Sequence, residues 1–141
     1  MFNLYGNDRL IEWKKFRDSL ETSNQPLQDL AELWSSAPFV NSYLNPLEPN
    51  SWPDPWHLVL DGKFDELAIC LGMLYTLKLT KRFMDTVCEI HSSMLPEKKT
   101  HQYFLVVDGL QVLNYDPRQA VSIEILKNYQ TNTLWLCKKL P

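Results

Sequence analysis

A histidine and an aspartate stand on either side of a hairpin signal in the second half of this 141-residue chain. Asp108-Gly109 is a strong two-residue turn signal between alternating apolar runs. With that turn, strand pairing places His101 directly opposite Asp116. Opposed Cβ atoms lie roughly 4.5–5.5 Å apart, so the carboxylate could orient the imidazole and stabilise its charged form.

The pair of His101 and Asp116 has two interpretations. It could be the base and the orienting carboxylate of a nucleophile–base–orienter triad, which also needs a nucleophile nearby. It could equally be a cross-strand ion pair that only holds two strands in register. The spacing alone favours the ion pair, because one cross-strand charge pair is a common structural device.

Three cysteines are the candidate nucleophiles and metal ligands, and all lie in apolar surroundings. Their odd number and wide spacing fit buried thiols better than a disulfide framework. Cys70 falls within an apolar helical stretch and is expected in the core. Cys88 and His91 have a ligand-like spacing, but without a second pair the sequence predicts no metal site and no cofactor.

A long apolar helix, predicted over residues 63–79, must position these groups. No polar face interrupts its middle, and Asp65 and Glu66 fall in the first turn, where carboxylates favour the helix dipole. Such a helix normally lies at the centre of a core. Just before it, Asp54-Pro55 predicts a short capped helix that ends near residue 60.

The N-terminal third is predicted to be helical over residues 8–21 and 26–36, from apolar residues at helical spacing. Four prolines then make residues 38–53 an ordered loop. Trp52 and Trp56 could either hold this loop in place or anchor a binding partner.

After residue 81 the apolar period becomes alternating, which indicates strands. A polar loop is predicted over residues 92–100. Helices followed by an antiparallel sheet are typical of an α+β domain with the central helix on one sheet face, so we expect one such domain over residues 1–141. The strands are predicted over residues 83–91, 101–107, 110–116, 121–126 and 133–136.

Composition excludes several kinds of partner. The net charge of −3 and the scattered lysines offer no basic surface for phosphates, so we expect no nucleic acid partner. No apolar run is long enough to cross a membrane, and the N-terminus lacks a basic region that leads into an apolar one. We therefore expect no membrane association and a place in the cytoplasm.

The stretch HQYFLVVDGLQVLNYDP, residues 101–117, is similar to the second half of the signature of transglutaminase-like, papain-related cysteine enzymes. In that signature, a strand beginning with His and an Asp-Gly turn lead to a strand ending in Asp-Pro. Upstream, GKFDELAICLGMLYTLKLTKRF resembles the family's helix and its exit to the first strand. The family's cysteine stands at the start of that helix, where the dipole and a neighbouring histidine lower its pKa.

The resemblance places Phe64 at the position of that cysteine. It implies that His101 and Asp116 are the remaining base and orienter. It also implies that the Phe64 ring points toward His101 and fills the space of the missing sulfur. The scaffold would then have lost its nucleophile.

A second resemblance is to small uncharacterised proteins of tailed bacteriophages. It rests on Trp-Pro-x-x-Trp at residues 52–56, Leu-Gly-Met-x-Tyr-Thr-Leu at 71–77 and Leu-Asn-Tyr-Asp at 113–116. This resemblance implies a phage or prophage source, but no activity.

Two functions are consistent with the sequence. The first is a non-catalytic bacteriophage protein that binds other proteins, phage proteins among them, in the virion, in its assembly or in the infected host cytoplasm. The alternative is a thiol hydrolase or acyl transferase that uses His101 and Asp116 with a nucleophile relocated to Cys70 or Cys88.

Overall fold

The computed structural model describes residues 1–95 and 100–141. Helices come first along the chain, and the described strands form one antiparallel sheet in the order β4-β3-β2-β1-β5. The predicted α+β class is confirmed. The helices are α1 (Gly6–Leu20), α2 (Pro26–Trp34), α3 (Pro55–Asp61) and α4 (Glu66–Lys78). The strands are β1 (Cys88–Leu95), β2 (Thr100–Val107), β3 (Gln111–Asp116), β4 (Gln119–Ser122) and β5 (Thr131–Cys137).

Helix α4 is the buried centre of the molecule, as predicted. Leu67, Leu71, Leu74 and Leu77 are at most 2% exposed, and the helix packs on β1, β2 and β3. It begins at Glu66 rather than at residue 63, because the Asp65 carboxylate caps it by accepting from the Ala68 N–H at 2.8 Å. None of the described helices is long and apolar enough to span a membrane.

The strand predicted over residues 83–91 begins later, at Cys88. Residues 81–85 form turns instead, and the Lys78 ammonium donates to the carbonyls of Met84 and Thr86, which curls the chain back onto the end of α4. Strand β1 then continues to Leu95, through residues predicted as a polar loop. The rest of that predicted loop, residues 96–99, lies outside the described residues.

The strand predicted over residues 121–126 is also corrected. Strand β4 ends at Ser122, whose hydroxyl accepts from the Glu124 N–H and caps a 3-10 turn over Ile123–Leu126. Leu126 packs with Phe104 on the sheet face opposite α4. In this segment the alternating apolar residues lie in a 3-10 turn and pack against one small cluster. The same alternation in a sequence is also typical of a strand, which is why a strand was predicted.

Candidate functional site

The turn between β2 and β3 is one residue longer than predicted. It comprises residues 108–110, and the strands pair Val107 with Gln111. The Leu110 carbonyl accepts from the Ile123 N–H at 2.9 Å, so Leu110 is drawn away from the β2–β3 ladder. The extra residue shifts the register by one position.

The register that placed His101 opposite Asp116 is therefore wrong. Strand β3 also departs from regular extension at Asn114, which has φ of 67° and donates to the Tyr103 carbonyl at 2.9 Å. Within residues 1–95 and 100–141, no hydrogen bond or ion pair joins the two side chains. Their role as base and orienter stays a prediction.

His101 and Asp116 line two neighbouring grooves that meet at the start of α4. The groove beside His101 has a volume of about 400 Å³, and the groove beside Asp116 about 210 Å³. Glu66 and Phe39 line both grooves. We call these two grooves together the cleft. Glu66, the first residue of α4, lies where they meet.

Two carboxylates occupy the helix start at the cleft. Asp65 is buried, and its second oxygen accepts from the N–H groups of Tyr43 and Leu44 at 2.8 and 3.0 Å, so it fastens the proline-rich loop to α4. Glu66 is exposed and stands at the first helical position. Glu66 was predicted in the first turn of the helix but not at a site. An aspartate N-cap at residue 65, just before the apolar run, is the sequence signal that could have placed Glu66 at the helix start.

Phe64 does not enter the cleft. Its side chain is fully buried, with its ring centroid 5.5 Å from that of Phe2 and 5.3 Å from that of Trp34. Its carbonyl accepts from the Val40 N–H at 3.1 Å, which fixes the backbone in extension. The expectation that this ring fills the space beside His101 is therefore wrong, since the ring belongs to an aromatic core cluster.

All three cysteines are buried free thiols. Burial raises the pKa of Cys70, and the nearby Glu66 carboxylate raises it further, against a hydrogen bond from Asn114. Burial also raises the pKa of Cys88 to about 11 and that of Cys137 above its ordinary value. At neutral pH these groups are thiols rather than nucleophilic thiolates.

The two tryptophans proposed as binding residues differ in their surroundings. The Trp52 indole N–H donates to the Asn45 carbonyl at 2.7 Å, and its ring packs edge-on against Trp135. Trp52 therefore holds the loop. Trp56 packs against Trp13 but remains 43% exposed, so its ring is available to a partner.

The His, Cys, Asp and Glu side chains of the described residues are the potential ligands for a metal ion. Residues 1–95 and 100–141 contain no cluster of three or more His, Cys, Asp or Glu side chains that could hold an ion. Cys88 and His91 point to opposite faces of β1, because they are an odd number of positions apart on one strand.

Comparisons with known proteins identify the fold. The chain resembles LapG of Legionella pneumophila with a TM-score of 0.68 and 13% identity, over 92% of this chain and 76% of LapG. The calcium-bound LapG structure gives a TM-score of 0.69 at the same identity and coverage. No protein-family model matches the chain, and no curated protein does. At this identity the likeness shows the fold alone, so this chain shares the fold of LapG.

Proposed function

We propose that this protein is a non-catalytic binding protein of a bacteriophage or prophage, built on a transglutaminase-like scaffold. The observation that carries the proposal is the occupation of the helix start at the cleft by Asp65 and Glu66, with no thiol there. The phage source rests on the sequence motifs that resemble small tailed-phage proteins.

The chemistry of the cleft supports a non-catalytic role. A cysteine enzyme uses the positive end of a helix to hold a thiolate. Here the Asp65 carboxylate uses that end to cap the helix and to fasten a loop. Without a thiolate the covalent step is absent, and a histidine alone supplies only a general base.

The competing function is a thiol hydrolase or acyl transferase whose nucleophile has moved to another cysteine. Cys70 is a candidate because it lies on α4, the helix that begins at the cleft. Cys70 lies one turn into α4, is fully buried and has a raised pKa. The nearby Glu66 carboxylate disfavours the Cys70 thiolate, and Asn114 forms a hydrogen bond with the Cys70 sulfur from the sheet. Attack on a substrate would require α4 to separate from β3, which the packing of the core opposes.

Thiol labelling at mildly acidic pH separates the two functions. In the parent protein we expect all three thiols to label slowly, because each is buried and protonated. In Glu66→Cys we expect a fast-labelling thiol, since that position is exposed at the helix N-terminus. Lys63→Cys is the matched control, because it is exposed close by but lies outside the helix.

The labelling rates should be followed against pH by mass spectrometry. The Glu66→Cys thiol should label about tenfold faster than Lys63→Cys at pH near 6, as a pKa lower by about one unit implies. A parent thiol that labels as fast as Glu66→Cys would overturn the non-catalytic proposal and favour the relocated nucleophile.

We expect the binding role to depend on Trp56. Its ring is exposed on α3 beside Leu60, which is 41% exposed, and the Arg17 guanidinium carbon lies 5.5 Å from the Trp56 ring centroid. Tryptophan is among the residues that most often dominate interface energies. The Trp56 ring is 43% exposed, whereas Arg17 beside it is buried and supports the ring from below the surface. An apolar rim of this kind suits a folded protein partner better than a small charged ligand.

Affinity purification from phage-infected cells tests this role with three forms of the protein. We expect the parent and Trp56→Phe to retain the same protein, and Trp56→Ala to retain at least about tenfold less, as the loss of an aromatic anchor predicts. Circular dichroism confirms that each form is folded. If folded Trp56→Ala retains as much of the partner protein as the parent does, the surface around Trp56 is not the binding surface.

A further inference from the structure

Cys88 and Cys137 lie directly opposite each other in the sheet. Antiparallel strands β1 and β5 pair these residues, and both side chains belong to the main core. Opposed residues in such a ladder have Cα atoms roughly 4.5–5.5 Å apart, within the range of about 4.4–6.8 Å that a disulfide spans. Two free thiols are therefore held at a separation that a disulfide can close.

A buried lysine holds the same end of the sheet. The Lys78 ammonium is 4% exposed and donates to the Lys138 carbonyl at 2.6 Å and to the Thr86 carbonyl. These carbonyls lie just after Cys137 and two residues before Cys88. These Lys78 hydrogen bonds hold the two strand ends together, so forming an S–S bond between Cys88 and Cys137 needs only a small local movement.

We propose that Cys88 and Cys137 form a redox modification site, which closes to an intramolecular disulfide on reaction with a low-molecular-weight disulfide such as oxidised glutathione. The site is separate from the cleft and does not depend on the proposed binding function. Cys70 is excluded, because it lies on α4 beside Asn114 and has no opposed sulfur.

The exchange proceeds in two steps that conserve atoms and electrons. The sulfur of Cys137 first attacks a sulfur of the small disulfide, whose S–S bond breaks, and one small thiol leaves with the proton that Cys137 gives up. The sulfur of Cys88 then attacks the Cys137 sulfur of the mixed disulfide, whose S–S bond breaks, and the second small thiol leaves with the proton that Cys88 gives up. Two protein thiols are oxidised while one small disulfide is reduced.

The low solvent exposure of both thiols makes the exchange slow, and the slightly greater exposure of Cys137 makes it the first to react. Cys137 is 3% exposed at the end of β5, which lies at the edge of the described sheet, whereas Cys88 is fully buried. Burial raises the pKa of each cysteine, and the Lys78 ammonium only partly offsets this rise. Cys137 and the Asp108 carboxylate raise the pKa of Cys88 further. The site should respond to sustained oxidation rather than to brief exposure.

The test is equilibration of the folded full chain in glutathione buffers from strongly reducing to strongly oxidising, until the products stop changing. Non-reducing peptide mapping by mass spectrometry then identifies the linked cysteines. Cys70→Ala is the matched control because it removes the uninvolved thiol, and Cys137→Ala removes the site. The map of the parent protein decides the result even where a variant fails to fold.

We expect a Cys88–Cys137 link in the parent and in Cys70→Ala, with none in Cys137→Ala. The oxidised parent should melt about 5–15 °C higher than the reduced form, since the link closes a long loop. Reduced thiols at the oxidising end of the series, a stable mixed disulfide or a link between two molecules would each overturn the proposal.

Discussion

Replacing Phe64 with alanine is expected to lower the free energy of unfolding by about 3–5 kcal/mol, the range for removing a buried phenylalanine ring. The ring is fully buried and meets the rings of Phe2 and Trp34 edge-on. Its loss leaves a cavity between the N-terminus, α2 and the segment before α4. The neighbours cannot collapse into that cavity, because each is held by its own contacts.

Urea unfolding followed by fluorescence measures this loss, and the chain offers a matched control. Phe39 pairs with Phe64 in an isolated parallel bridge, yet its side chain is 59% exposed. Phe39→Ala should change the stability by no more than about 0.5 kcal/mol, as for most surface substitutions. Equal effects of the two substitutions would contradict the placement of Phe64 in the core.

The position of Phe64 shows where sequence reasoning succeeds and where it fails. The apolar run after Gly62 correctly predicted the central helix, because its periodicity depends only on neighbouring residues. The apolar run alone does not show that residues 63–65 precede the helix. Asp65 caps the helix through one carboxylate oxygen, while its other oxygen accepts from the loop amides of Tyr43 and Leu44. With the cap at Asp65, Phe64 lies in extended backbone and points into the core.

The hairpin register failed for a similar reason. Asp108-Gly109 is a genuine turn signal, with both residues at positive φ of 55° and 65°. Whether Leu110 joins the turn or the strand depends on the Ile123 N–H that binds its carbonyl. That contact comes from a segment that the sequence pattern had predicted as a strand, so one error followed from the other.

Local signals nevertheless predicted most of the architecture. Asp54-Pro55 begins α3 as expected, with the Asp54 side chain accepting from the His57 N–H at 2.9 Å, and α2 begins at Pro26. The candidate site was harder to predict, because the cleft is assembled from four separated segments that meet at Glu66, within residues 31–46, 65–73, 101–103 and 114–118. The residues of the cleft lie close together in space, but they follow no regular spacing in the sequence.

One buried hydroxyl accepts hydrogen bonds from two of the indoles that pack on α4. Thr76 Oγ1 accepts from Trp13 Nε1 at 3.0 Å and from Trp34 Nε1 at 3.2 Å, and it donates to the Gly72 carbonyl at 2.7 Å. Trp13, Trp34 and Thr76 are all fully buried. A Cβ at Gly72 would lie 2.2 Å from the Trp34 ring, so this packing leaves no room for a water molecule to replace the hydroxyl.

Thr76→Val should therefore lower the free energy of unfolding by about 2–6 kcal/mol, because it leaves two buried N–H donors without acceptors at roughly 1–3 kcal/mol each. Valine keeps the shape of threonine, so the loss reports the hydroxyl rather than a cavity. Thr76→Ser keeps the hydroxyl and loses one methyl, and it should cost only about 1 kcal/mol. Urea unfolding gives both values, and nuclear magnetic resonance should show the indole N–H signals of Trp13 and Trp34 shifting in the valine variant alone. If valine proves as stable as serine, or if neither indole signal moves, the shared hydroxyl does not join α1 and α2 to α4 in the way described.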